Sequence, residues 1–254
     1  MSRVLEFEGI RNFRHFGEYA ACDGAKVRAN LFRSGHFHNA TEADKSRLAD
    51  LNISVVADLR RPRERENEPS SWGEGLRILQ SDVAGHAEPP HLQFLREGDL
   101  SREGVTGFMR SAYQRLPNEK GNQEVFAAGL RELATHGADE GFVVHCAAGK
   151  DRTGIFCALA LSLADVGKDD IYDDYLMTNT AVDYDTLIPV VQKRLKDMFG
   201  RDVKEDVMKV FLGVDEEFLD VAFQEIGSAE RYARDVLGLS DDEIAAVRTN
   251  LIAG

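Results

Sequence analysis

The chain has 254 residues, 43% of them hydrophobic and 30% charged, which suits one large water-soluble α/β domain spanning 1–254. A formal net charge of −13 argues against nucleic acid or an anionic membrane as general partners, so any site for an anionic substrate must be a local positive patch. Three cysteines, at 22, 146 and 157, fit neither a disulfide framework nor a zinc spacing.

The first residues carry no apolar stretch of signal-peptide length, and the longest nearly apolar run, 154–164, is too short to span a bilayer. A cytoplasmic protein without stable membrane insertion is the natural expectation, and export by a route lacking a cleaved signal stays compatible with it.

In chain order, Val4, Leu5, Phe7 and Ile10 predict a short opening strand, followed by Asn12-Phe13-Arg14. His15 is a candidate substrate-binding residue just beyond. A turn at Asp23-Gly24 precedes a strand over 27–32, which leaves Arg33, a second candidate for substrate, at a strand end. His36 and His38 alternate, but no further metal ligands accompany them, so no metal site is expected. Thr41 to Asp44 reads as a capping box opening a helix.

The apolar run 53–59 predicts a buried parallel strand with Asp58 at its carboxyl end, the edge where open α/β sheets hold ligands. Arg60, Arg61, Arg63 and Arg65 then alternate with acids. The run reads either as a solvated loop or as a loop from which Arg60 reaches the substrate. After a strand at 76–79, scattered Gly and Pro over 81–107 predict a loop-rich flank of the site. Helices are expected at 108–116 and 124–136.

The central stretch is 142–154. A β-branched run enters it and an apolar helical pattern leaves it, so the loop between aims several N–H groups at one spot, beside the positive end of a helix dipole. Cys146 lies at the base of this cradle as a thiolate nucleophile. Arg152, six residues on, can grip two oxygens of a tetrahedral anion with its planar fork. Amides of Ala147, Ala148, Gly149, Lys150, Asp151 and Arg152 would bind phosphate, and Thr153 could hydrogen-bond the sulfur as it leaves. Such a device transfers phosphoryl groups to sulfur and needs neither metal nor cofactor.

The leaving oxygen needs a general acid, and two carboxyls compete for the role. Asp151 lies within the loop, but its neighbours Lys150 and Arg152 favour the ionised form unless a phosphate dianion faces it. Asp58 escapes that objection, yet it could equally serve to hold Arg152 or the loop. Lys150 adds a second cation, suiting substrates with more than one phosphate. Cys157 and Cys22 are conceivable resolving thiols, although Cys157 falls on the apolar face of the following helix.

The decapeptide HCAAGKDRTG resembles the signature of the cysteine-dependent protein tyrosine phosphatases, and its GKDRTG ending resembles an atypical bacterial branch in which some members also accept phosphoinositides. Further marks follow in the family's order: Asn12-Phe13-Arg14, Leu31 to Gly35, Asp58-Leu59-Arg60 with Glu64, then Gly227-Ser228, Tyr232 and Leu237 to Ser240. The family usually reads NFRDLGGY where this chain reads NFRHFGEY, so His15 and Glu18 replace an acid and a glycine.

The resemblance implies a protein-tyrosine-phosphatase-like α/β fold. Its centre would be a mostly parallel sheet of four to five strands flanked by helices, with sheet and loop in 1–165. The helical portion 166–254, with segments at 169–179, 183–199, 202–212, 216–226, 228–237 and 241–252, would be a possible active-site cover.

It also implies a phosphorylated protein as substrate, with phosphoserine, phosphothreonine or phosphoinositide activity as a broader range. A phosphoinositide or inositol-phosphate phosphatase is the alternative. Sulfur transfer or arsenate reduction is a remoter one, opposed by Arg152-Thr153-Gly154 and by the lack of an evident resolving pair. A non-catalytic phosphate-binding module is opposed by the intact Cys146 and Arg152.

Overall fold

The computed structural model describes residues 2–21, 24–85 and 89–252. Cys22 and Asp23, and with them one suggested thiol and half of the predicted turn, lie outside the described residues.

Five strands form one sheet in the order β1-β2-β5-β3-β4. They are β1 (Arg14–His15), β2 (Leu31–Ser34), β3 (Ile53–Asp58), β4 (Arg77–Gln80) and β5 (Gly141–His145). Only β1 runs antiparallel to its neighbour. β5 is buried along its whole length and β3 at all but one position, as expected of near-continuous apolar runs in a sheet covered on both faces. The predicted opening strand shrinks to a single bridge between Val4 and Arg14.

Register positions the chemistry. Ser34, His145, Asp58 and Gln80 stand side by side at the carboxyl edge. Because side chains alternate, Phe142 and Val144 join the larger core with the helices, whereas Val143 and Val56 join a smaller core with Phe13, Phe32 and Phe37.

The helices before β5 are α1 (Glu42–Ala49), α2 (Pro62–Asn67), α3 (Pro90–Glu97), α4 (Arg102–Arg115) and α5 (Lys120–Leu133). The capping box of Thr41 and Asp44 opens α1 as predicted. Two expectations fail. The charged run 60–68 contains a helix, α2, with Pro62 in its first turn and Glu64 accepting from the Arg61 amide at 2.8 Å. The stretch expected to be loop-rich carries α3 and the start of α4, where Ser101 accepts from the Gly104 amide at 3.0 Å. Glycines at 98 and 104 sit at or near helix ends, which disguised the pattern.

After β5 come α6 (Asp151–Leu163), α7 (Lys168–Leu176), α8 (Thr178–Ala181), α9 (Tyr184–Phe199), α10 (Glu205–Leu212), α11 (Glu216–Ile226), α12 (Ala229–Asp235) and α13 (Asp241–Ile252). α11 and α13 have the predicted bounds. α6 is apolar all round because the sheet, α5, α7, α12 and α13 pack about it. No helix among the described residues is long and apolar enough to cross a membrane.

Candidate active site

Between the end of β5 and the start of α6 the chain makes a loop whose carbonyls are held from outside. Asn12 Nδ2 donates to Ala148 O at 3.2 Å and to Gly149 O at 3.0 Å, and Arg33 Nη2 reaches Gly149 O at 3.1 Å. The amide of His36 donates to Ala147 O at 3.2 Å. His145 Nδ1 lies 3.3 Å from Cys146 O.

The amides of 147–150 donate no hydrogen bond to any described residue. Carbonyls turned outward and free amides at a helix N-terminus make a cradle for an anion. Gly149, at φ +69°, is required here, since a Cβ would lie 2.3 Å from the backbone of Ser34.

Below the loop lies an ion cluster. Arg14 and Arg33 are both fully buried, and Asp174 of α7 is the carboxylate between them. Arg33 bonds Asp174 directly, and Arg14 Nη2 donates to Asp174 O and Thr178 Oγ1 at 3.0 and 3.1 Å. Burial works against charge on Arg33, but Asp174 outweighs it and pushes that guanidinium above its ordinary value. Arg33 thus lies beneath the loop with no exposed surface, bonded to Asp174 and to Gly149 O.

Above the loop is a cavity of about 240 Å³ lined by Cys146, Ala147, Ala148, Lys150, Asp151 and Arg152. Phe108, Met109, Leu116, Phe211 and Leu212 make its apolar wall. Arg152 is anchored in a fork: Nη1 and Nη2 each lie 2.7 Å from one oxygen of Glu64, and Nη1 also donates to Leu59 O at 2.8 Å. Burial alone would raise the Glu64 carboxyl, yet Arg152 holds it at about 2. Asp151 receives a hydrogen bond from Tyr113 Oη at 2.7 Å. Thr153 Oγ1 is buried with no hydrogen-bond partner among the described residues.

The family model of the tyrosine phosphatase family matches residues 5–253. The chain belongs to the tyrosine phosphatase family. It is 31% identical to a Cupriavidus necator protein named as a tyrosine-protein phosphatase, over 98% of this chain and 89% of that one. It is 29% identical to the triple specificity protein phosphatase PtpB of Mycobacterium tuberculosis, over 98% of this chain and 99% of that one. A tyrosine-protein phosphatase of Nostoc commune matches 62% of this chain, at 29% identity. This protein is a protein-tyrosine-phosphatase, and its substrates are phosphorylated.

In this phosphatase, several residues singled out from the sequence stand away from the cavity. Asp58 shares a face with His145 and lines a separate cavity with Phe37 and Trp72. Its carboxylate is taken by Arg60, with Nε 3.0 Å from Oδ1 and Nη2 2.8 Å from Oδ2. Burial pulls that carboxyl up, but His145 and Arg60 outweigh it and hold it below its ordinary value. Arg60 also donates to Glu68 O and Ser70 Oγ, on the far side of the sheet from the cavity that Cys146 lines. His15 packs its ring 4.7 Å from that of Phe32 and borders neither cavity.

Lys150 lines the cavity, but its ammonium donates to Phe211 O at 2.7 Å and Gly213 O at 3.0 Å, tying the loop to the carboxyl end of α10. Cys157 is fully buried in the core. Sequence reasoning missed the part Glu64 takes, although it stood among the family marks. It also missed Asn12 as a carbonyl clamp, His91 of α3 as a cavity residue, and Tyr113.

Proposed function

We propose that the phosphatase removes phosphate from phosphotyrosine proteins through a cysteinyl-phosphate. Cys146 Sγ attacks phosphorus in line as the aryl oxygen leaves, and water then breaks the S–P bond. The loop amides and Arg152 stabilise charge on the equatorial oxygens. Asp151 protonates the leaving oxygen and afterwards accepts a proton from the attacking water. Thr153 assists departure of sulfur, its buried hydroxyl having no other partner among the described residues.

One observation carries this reading: Cys146, Asp151 and Arg152 line the same cavity, whose apolar wall suits an aromatic ring, while Asp58 lines another. α10 acts as a cover over the site, contributing Phe211 and Leu212 and tied down by Lys150. The likeness to a protein named a triple specificity protein phosphatase supports a range wider than one kind of phosphoester, which this reading extends to phosphoserine, phosphothreonine and phosphoinositides.

The test compares kcat/KM on phosphotyrosine, phosphoserine and phosphothreonine peptides and on phosphoinositides, with Cys146→Ser as control. Highest values on phosphotyrosine peptides, abolished in Cys146→Ser, are expected. A preference for phosphoinositides would reverse the substrate order, and turnover surviving in Cys146→Ser would remove the nucleophile.

A further inference from the structure

Two fully buried tyrosines stand behind Asp151, Tyr113 on α4 and Tyr175 on α7. Tyr175 Oη donates to Tyr113 Oη at 2.6 Å, and Tyr113 Oη donates to Asp151 Oδ1 at 2.7 Å. Lys150 Nζ lies 3.6 Å from the same oxygen. Oδ2 takes no hydrogen bond from any described residue, and the Asp151 side chain keeps 27% of its surface exposed.

Packing alone does not account for these hydroxyls. A buried hydroxyl is costly unless paired, and phenylalanine would fill both places. Here the two pair with each other and end on a single carboxylate. Room has been left for them as well. A Cβ on Gly154 would come within 2.8 Å of Tyr175 Cδ2, although glycine inside a helix costs about 1 kcal/mol. Burial pushes both phenols well above their ordinary value, so both remain donors.

We propose that Tyr113, backed by Tyr175, is a positioning residue for the acid: it occupies Oδ1 of Asp151 and so confines the transferable proton to Oδ2, the oxygen left open to the cavity. The inference rests on Asp151 being that acid. As the S–P bond forms and the P–O bond breaks, the Oδ2 proton passes to the leaving oxygen. In hydrolysis the carboxylate regains a proton from water.

Among the described residues, Tyr113 is the one that hydrogen-bonds the Asp151 carboxylate.

The experiment uses full-length Tyr113→Phe, Tyr175→Phe, Asp151→Asn and the Asp151→Asn/Tyr113→Phe pair on phenyl phosphate, a poor leaving group, and p-nitrophenyl phosphate, a good one. Tyr113→Phe should lower kcat on phenyl phosphate by about tenfold or more and change p-nitrophenyl phosphate little. Tyr175→Phe should do the same more weakly, and it carries the test if Tyr113→Phe does not fold. In the Asp151→Asn background, Tyr113→Phe should add nothing.

Equal losses on both substrates, or losses that multiply in the pair, would overturn the positioning role while Asp151→Asn still discriminates between leaving groups. An Asp151→Asn variant indifferent to the leaving group would instead overturn the acid assignment, and this inference with it.

Discussion

The carboxyl edge of the sheet carries two arginine–carboxylate forks of nearly the same make. On one face Arg152 grips Glu64, and on the other Arg60 grips Asp58. Each joins an arginine to an acid across a buried or nearly buried contact. Only the first borders the cavity that Cys146 lines. A bidentate pair near the reactive edge is therefore no mark of function by itself. What separates the two is the side of the sheet, and that is set by a one-residue step: Leu59 turns its carbonyl to Arg152, while Asp58 turns its side chain to His145 and Arg60.

The largest expected effect lies on the cavity face. Arg152→Lys keeps a charge but loses the fork, so kcat on an aryl phosphate should fall by about 10²–10³, and the melting temperature should fall as well because Glu64 loses its bidentate partner. Arg60→Lys should lower the melting temperature as Asp58 loses its bidentate partner, while kcat measured below the transition holds. Comparable kinetic losses in both variants would erase the distinction between the faces.

Asp58→Asn and Asp151→Asn sharpen it further. Asp151→Asn should slow a substrate with a poor leaving group by about 10²-fold or more. Asp58→Asn should lower the melting temperature and leave the ratio between poor and good leaving groups unchanged. A leaving-group effect in Asp58→Asn would return that carboxylate to the chemistry.

A smaller effect is read through pH. The Glu64 carboxyl, at about 2 in the fold, lies below its ordinary 4.5. Its pairing therefore contributes stability in full above pH 4.5, and loses it as pH falls toward 2. The melting temperatures of wild type and Glu64→Gln should differ at neutral pH and converge over that window. A gap that stayed constant down to pH 2.5 would contradict the pairing.

Smallest of all is Glu18, which adopts φ +58° where the family usually has glycine. Glu18→Gly relieves a left-handed conformation that costs roughly 1–2 kcal/mol per residue, partly offset by the entropy of glycine in the unfolded chain. A gain of at most about 1 kcal/mol in chemical denaturation is expected, and a loss would show that the Glu18 side chain matters.

Much of this was legible in advance. Cys146 to Gly154 is one contiguous segment, and a strand, a turn and a helix in succession force its amides and its arginine to one point. The sheet strands were legible because runs such as 142–145 and 53–58 are buried from both sides. The helices of 90–115 were hidden by glycines and prolines that cap or open helices instead of breaking them. Asp58 was placed at the right edge, but its face was not legible, since a one-residue shift in phase at a strand end reverses the direction of the side chain. Tyr113 and Tyr175 lay in ordinary apolar helical patterns, and nothing local told their hydroxyls from packing.

The amino-acid sequence alone determined the buried strands, the helices after β5 and the composition of the phosphate loop, because these depend on contacts between residues close in the chain. Which carboxylate holds Arg152, which one shares a cavity with Cys146, and what stands behind Asp151 were decided only in three dimensions. Those partners come from α2, α4 and α7, brought together by burial of apolar faces that carries no record in any one segment of the groups it will align.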